Sequence, residues 1–62
     1  MATFTMRIEM NNAAFADWGM IELERVIEED LLPKIRENRA GGILRDANGN
    51  TVGEFQTVMR EG

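Results

Sequence analysis

The sequence predicts a small α+β domain in which a strand is followed by a helix and two further strands (a βαββ fold), with residues 1–62 forming a single domain. Three observations support this fold class. Apolar and polar residues alternate over residues 3–10, and an amphipathic helical pattern covers about residues 20–39. An Asn-Gly pair then separates two strand-like runs, 42–47 and 50–59, which we expect to form a hairpin. The strands are numbered β1, β2 and β3 in chain order.

β1 is predicted over residues 3–10 because a period of two is typical of a strand with one buried face and one solvated face. Thr3, Thr5 and Arg7 occupy the polar positions. The alternate positions are apolar and are expected to face the core: Phe4, Met6, Ile8 and Met10. Residues 13–18 are expected to form a connection that includes at most one helical turn.

The helix is predicted to end at residue 39, because Gly41 and Gly42 can adopt the left-handed conformation that stops a helix. Glu22, Arg25 and Glu29 lie on its polar side with the spacing of solvated ion pairs. Its apolar residues share one broad arc that would cover one face of the sheet. They are Met20, Ile21, Leu23, Val26, Ile27, Leu31, Leu32 and Ile35.

Two residues do not fit a simple amphipathic helix. Glu24 falls inside the apolar arc, so its carboxylate needs a partner from the sheet, a bound partner or a position at the rim. Pro33 removes a helix hydrogen bond and disfavours helical geometry at Leu32. We therefore expect a kink that exposes the Glu29 carbonyl.

Two turns are compatible with the hairpin. One is a two-residue type I′ turn at Asn48-Gly49, and the other is a type I turn over residues 46–48 with Gly49 in a left-handed bulge position. Asp46 favours the second, because Asp suits the first position of a type I turn. In that register Leu44 faces Val52. The same segment is not a calcium-binding loop, since its glycine and glutamate do not stand at the sixth and twelfth positions.

The strand order is predicted to be β1-β3-β2, with β1-β2-β3 as the alternative. A single helix covers one face of such a sheet. Alternation places Ile43 and Phe55 opposite to Leu44 and Val52, so apolar side chains are expected on both faces. Uncovered apolar area of this kind marks an interface, and Ile43 and Phe55 are the predicted homodimer face.

The composition argues against an enzyme. The chain has no Ser, Cys, His or Tyr, which removes the common nucleophile–base pairs and the usual metal ligands. Lys34 is the only lysine and lies in a charged stretch, unlike a lysine with a lowered pKa. We expect no catalytic residue, no metal site and no cofactor.

The charge balance of seven basic against eleven acidic residues gives a net charge of −4, which works against binding to a phosphate backbone. Nucleic acid is therefore an unlikely partner, although basic residues could gather near the helix end: Arg36, Arg39, Arg45 and Arg60. No apolar run is long enough to predict a membrane span, and no signal-peptide pattern is visible. We expect the protein to act in the cytoplasm.

Acidic residues concentrate in the first half of the helix, and five of them are candidate partner-binding residues: Glu22, Glu24, Glu28, Glu29 and Asp30. Their spacing suits mimicry of a phosphate backbone, presented to a basic groove on another protein. The competing interpretation is an ordinary acidic helix start that favours the macrodipole.

The block Leu-Arg-Asp-x-Asn-Gly-Asn-x-Val-Gly at residues 44–53, together with Asn-Ala-Ala-Phe at 12–15, resembles a group of small tailed-phage and prophage proteins. Members of that group typically lack the proline found here at position 33. The resemblance implies a phage-encoded accessory protein in the cytoplasm of a host bacterium. It implies no activity for any residue.

Three functions are compatible with these expectations. The first is a non-enzymatic protein that binds a host protein or defence complex through the acidic helix, such as an anti-CRISPR inhibitor. The second is a homodimeric accessory protein that associates through its open sheet face. A nucleic-acid-binding accessory role is third.

Overall fold

The computed structural model describes residues 1–59, and its elements follow the predicted order. They are β1 (Ala2–Ile8), α1 (Ala13–Trp18), α2 (Met20–Val26), a π-helical segment (Ile27–Leu31), α3 (Leu32–Arg36), β2 (Gly41–Arg45) and β3 (Thr51–Met59). The segments from Met20 to Arg36 are continuous, and together we call them the long helix. The predicted α+β fold class is confirmed.

The three strands form one sheet in the order β1-β3-β2, which confirms the predicted order over its alternative. β3 lies in the centre and is antiparallel to both neighbours, so β1 and β2 run parallel without touching. Phe55 on β3 stands between Met6 on β1 and Gly42 on β2. These three positions therefore share the face of the sheet that the long helix covers.

The connection after β1 is a complete short helix rather than a single turn. The Asn12 side chain caps α1 by accepting a hydrogen bond from the Phe15 backbone N–H at 3.3 Å. Phe15 is thereby held in the core, with 4% of its surface exposed. Gly19 then separates α1 from α2 with a positive φ of 55°, a conformation that glycine adopts without strain.

The long helix continues through Pro33 by widening its turn. The Leu32 backbone N–H bonds to the Ile27 carbonyl, five residues back, just before the proline that has no N–H to donate. Leu32 keeps helical dihedral angles despite preceding the proline. The wider turn also changes which residues face the sheet, and Ile35, predicted within the apolar arc, is 43% exposed.

The long helix ends at Arg36, earlier than predicted, because Asn38 and not a glycine adopts the left-handed conformation (φ 62°). The Arg39 N–H then bonds to the Lys34 carbonyl at 3.1 Å, closing the helix end. The two glycines predicted to stop the helix lie in β2 instead. At Gly42 a Cβ atom would come within 3.2 Å of the Phe55 ring, so this glycine makes room for the core.

The hairpin turn is the predicted type I turn followed by a left-handed glycine. The Gly49 N–H bonds to the Asp46 carbonyl at 3.0 Å, and Gly49 has a φ of 83°. The predicted pairing of Leu44 with Val52 is wrong, because a bulge between Leu44 and Arg45 shifts the register and pairs Leu44 with Gly53.

The bulge brings both Val52 and Phe55 into one buried cluster, although they are an odd number of residues apart. This core lies between the long helix and the sheet and consists of Phe15, Val26, Leu31, Leu44, Val52 and Phe55. Phe55 was predicted to lie on the opposite face from Leu44, and that prediction is wrong. Only 2% of its surface is exposed.

The long helix covers the β2–β3 side of the sheet and leaves β1 largely uncovered. Its π-helical segment packs on β2. On β1, Phe4 and Met6 point to the helix side of the sheet, yet 49% and 40% of their surfaces are exposed. The radius of gyration is 12.7 Å, against about 10.6 Å for a compact chain of this length. The exposure of Phe4 and Met6 shows that the helix leaves the β1 side open.

Candidate functional site

Glu22, a candidate partner-binding residue, is buried beneath the hairpin. Only 3% of its surface is exposed. Its Oε1 accepts a hydrogen bond from Arg25 Nε at 2.8 Å, and its Oε2 accepts one from the Ala47 backbone N–H at 2.8 Å. The bond from Arg25 lowers the pKa of Glu22 below its usual value, against the opposing effect of burial. The pair with Arg25, predicted to be solvated, is thus an internal contact.

Asp30, another candidate, ties the long helix to the end of β2. Its Oδ2 accepts a hydrogen bond from the Arg45 backbone N–H at 2.7 Å, and its other oxygen pairs with Lys34. Burial alone would raise the pKa of Asp30, but the bonds from Lys34 and Arg45 outweigh it and lower the pKa. From the same helix, Arg25 donates to the Arg45 carbonyl at 3.2 Å.

Asp46, which the sequence indicated only as a turn residue, organises the hairpin turn. Its Oδ1 accepts from the backbone N–H groups of Asn48 (2.9 Å) and Asn50 (2.8 Å), and its Oδ2 accepts from the Asn12 side chain. Burial would raise the pKa of Asp46, and the bonds from Asn50 and its neighbours reverse this and lower it. The carboxylate therefore joins the start of α1 to the hairpin.

We call Glu22, Asp30 and Asp46 the hairpin acids. Within residues 1–59, every buried side-chain nitrogen and oxygen has a hydrogen-bond partner. The hairpin acids accept many of these hydrogen bonds. Glu22 and Asp30 are engaged inside the molecule, so neither is available as part of an exposed row of carboxylates. The structure therefore places these two candidate residues in internal contacts rather than on an exposed surface.

The other three candidate acids are exposed. Glu29 lies 3.9 Å from Arg25 and keeps 66% of its side chain in solvent. Glu24 and Glu28 have no ion pair within residues 1–59. Of the alternatives left open for Glu24, the structure shows a position at a rim.

That rim borders an apolar groove on the flank of the long helix turned away from the hairpin. The groove has a volume of about 400 Å³. Its walls are the apolar side chains of Met20, Leu23, Ile27 and Leu32, with Glu24 and Glu28 beside them. Met20 is 69% exposed, and Ile21 next to it is 65% exposed. We refer to this feature as the acid-bordered groove.

The groove explains the apolar arc of the long helix. The buried part of that arc, Val26 and Leu31, packs against the sheet. Leu23 and Ile27 are only partly buried and pack at the edge of this core. An apolar surface is thus exposed beside Glu24 and Glu28, two carboxylates that have no ion pair within residues 1–59.

The predicted homodimer face is not apolar. Phe55 lies in the core, and only Ile43 remains on the open face, 44% exposed. Its neighbour across the sheet is Glu54, which pairs with Arg7 at 3.7 Å. The open face is mostly polar, and the placement of Phe55 on it is wrong.

The remaining features bear on the other predicted interpretations. Arg45 is exposed but its backbone is held by the long helix, and Arg60 lies outside the described residues. Within residues 1–59, no group of three carboxylates converges in the way a metal ion requires, and no helix is long and apolar enough to cross a bilayer.

No protein-family model, curated protein or solved structure matches this chain. The geometry of the acid-bordered groove therefore carries the functional interpretation.

Proposed function

We propose that this chain is a non-enzymatic protein-binding module, and that it takes an amphipathic, positively charged segment of another protein into the acid-bordered groove. The observation that carries the proposal is the juxtaposition of a partly exposed apolar wall, Leu23 and Ile27, with two exposed carboxylates. These are Glu24 and Glu28, which have no ion pair within residues 1–59.

The apolar wall supplies the affinity. Removing apolar surface from water is favourable by about 25 cal/mol for each Å², and the entropic cost of association offsets part of this gain. Met20 and Ile21 are the most exposed side chains of this region, and methionine adapts readily to the shape of a partner. An amphipathic helix that lays its apolar side into such a groove is a common form of peptide recognition.

The two carboxylates supply the selectivity. They stand on the rim, where a Lys or Arg of the partner can reach them while its apolar side chains enter the groove. Such rim charges mainly steer association and exclude partners of the same sign. The net charge of −4 acts in the same direction.

The resemblance to phage proteins suggests the setting. In that setting the partner is a bacterial protein with a basic surface, such as a nucleic-acid-handling enzyme or defence complex, and binding inhibits it. This role needs no catalytic residue in the chain.

The test compares three baits in affinity capture from bacterial lysate, followed by a direct affinity measurement on the captured protein. They are the wild type, the double variant Glu24→Lys/Glu28→Lys and the control Glu37→Lys. Glu37 is an exposed acid beyond the helix end, and its pair with Arg39 is at the surface. We expect the double variant to lose the partner and the control to keep it.

A second measurement does not depend on finding the partner. Titration of the labelled protein with a model amphipathic peptide of Lys and Leu should shift backbone amide resonances along Leu23–Ile27 and leave those of the open sheet face in place. Equal affinity of all three baits for the captured protein, or peptide shifts confined to the open face, would exclude the groove as the binding site.

A further inference from the structure

The two edge strands of the sheet differ in whether other parts of the molecule bond to their outward main-chain groups. At the β2 edge the long helix occupies the outward main-chain groups of Arg45, with Asp30 bonded to its N–H and Arg25 to its carbonyl. This capping closes the Arg45 end of the β2 edge to another strand. β2 is also short, at five residues.

The β1 edge has no such cap. The Glu9 N–H bonds to the Val52 carbonyl, which places the odd-numbered residues of β1 in hydrogen bonds with β3. The N–H and carbonyl groups of Phe4, Met6 and Ile8 therefore point away from the sheet. Within residues 1–59, no hydrogen bond engages these outward groups.

We propose that β1 pairs with the β1 strand of a second copy of this chain, in antiparallel orientation, to form a six-stranded sheet. This interface is separate from the acid-bordered groove and does not depend on the proposed function. It also differs from the open sheet face around Ile43, because the contact runs along the strand edge.

The sequence of β1 is complementary to itself in this orientation. Thr5 is the central residue of Ala2–Ile8 and lies on the two-fold axis, opposite its own copy. Phe4 then stands opposite the second copy's Met6, and Arg7 stands opposite the second copy's Thr3. No like charges face each other across the axis, and all seven residues of the strand are paired.

The side chains that meet on the helix side are those the monomer leaves exposed. Phe4 and Met6 from each copy form one apolar cluster next to the ring of Phe55, which already lies 6.0 Å from the Phe4 ring. Cross-strand pairs of aromatic and apolar side chains stabilise antiparallel sheets.

The accessible surface of the monomer is larger than its mass predicts. The accessible surface is 4579 Å², whereas a folded monomer of 7.0 kDa has about 4,000 Å². The excess of roughly 500 Å² is below the value of about 600 Å² per partner at which standard specific interfaces begin, and is typical of weak, transient complexes. We therefore expect a dimer with a dissociation constant in the micromolar range.

Sedimentation equilibrium over a concentration series tests the interface with three variants. Met6→Pro removes an outward N–H from each copy and no bond within the monomer, so it should weaken the dimer roughly 30-fold, as expected for two lost ladder hydrogen bonds. Thr5→Lys places two like charges on the axis and should weaken it by up to about fivefold.

The control is Gln56→Lys, which makes the same charge change on the same face of the central strand, directly beside Thr5. It should leave the dissociation constant within about twofold of the wild-type value. Circular dichroism of each variant as a dilute monomer establishes that the fold is retained, and Thr5→Lys still tests the interface if the proline variant does not fold.

Thr3→Glu tests the register. With Thr5 on the axis, the new carboxylate faces Arg7 of the second copy and should tighten the dimer by about 2- to 10-fold. With Met6 on the axis, it would face Glu9 and weaken the dimer. A wild-type protein that stays monomeric at about 1 mM, or equal effects of Thr5→Lys and Gln56→Lys, would overturn the proposal.

Discussion

Glu22→Gln tests the contact that joins the long helix to the hairpin. The substitution keeps the shape of the side chain and one neutral acceptor for the Ala47 N–H. It removes the charge that accepts two hydrogen bonds from Arg25, at 2.8 and 3.2 Å. A hydrogen bond to a charged group contributes roughly 1.5–3 kcal/mol, so we expect the free energy of unfolding to fall by about 2 kcal/mol.

That loss is large for this chain. A single core of this size supplies about 3–5 kcal/mol, so roughly half of the stability would disappear. Glu29→Gln is the matched control, because Glu29 also neighbours Arg25 but is 66% exposed at 3.9 Å. Neutralising it should cost no more than about 0.5 kcal/mol.

The assay is urea unfolding of both variants, followed by circular dichroism at a concentration low enough to keep the chain monomeric. The m-values should match that of the wild type, since neither substitution changes the area exposed on unfolding. Equal destabilisation by the two substitutions would refute the buried role of Glu22.

Three further predictions concern stability. The hairpin acids have pKa values below the ordinary 4.5 (Glu) and 3.8 (Asp), so the stability they contribute is fully present above these ordinary values and should be lost as the pH falls through the lowered pKa values. A free energy of unfolding that stays constant as the pH falls below both the ordinary and the lowered pKa values would contradict this. Gly53→Ala should destabilise the fold by about 3 kcal/mol, because the added Cβ would lie 1.9 Å from the Arg7 carbonyl oxygen, whereas Gly49→Ala, which meets no atom within 4 Å, should cost only about 1 kcal/mol for its positive φ. Asn38→Gly should raise the midpoint of thermal unfolding, since Asn38 holds a left-handed conformation (φ 62°) that glycine adopts more easily; an unchanged midpoint would contradict the role of Asn38 in ending the helix.

The elements and their order could be predicted from the sequence because each has a local signal. Alternation marks β1, a helical period marks the long helix, and Asp46 and Gly49 mark the turn type. The central position of β3 was inferred from its length and pattern. The elements and the turn type depend on residues close together in the chain, which is why their prediction succeeded, whereas the strand order pairs residues as distant as Ala2 and Met59.

The features that were missed depend on distant contacts. The bulge beside Leu44 shifts the register by one residue, and this change moves Phe55 from the predicted open face into the core. The partners of Glu22 include the N–H of Ala47, 25 residues away. A spacing of three residues from Arg25 gives the same pattern for a solvated pair and a buried one.

The candidate site was partly predictable for the same reason. Glu24 stood out as a carboxylate within an apolar arc, and it borders the groove. The sequence could not show that the helix is offset towards β2, nor that Met20 is left 69% exposed. The offset follows from the bonds that the hairpin acids make to the hairpin.

The most direct test of whether the groove and the β1 edge are exposed is methionine oxidation of the monomer by dilute peroxide, measured by mass spectrometry. Met59 is 78% exposed and serves as the internal reference. We expect Met20 in the groove wall and Met6 on β1 to oxidise at rates within a few-fold of Met59. Strong protection of both Met6 and Met20 in the monomer would show that a single chain covers its own apolar surface, and would contradict a groove and a strand edge left open for partners.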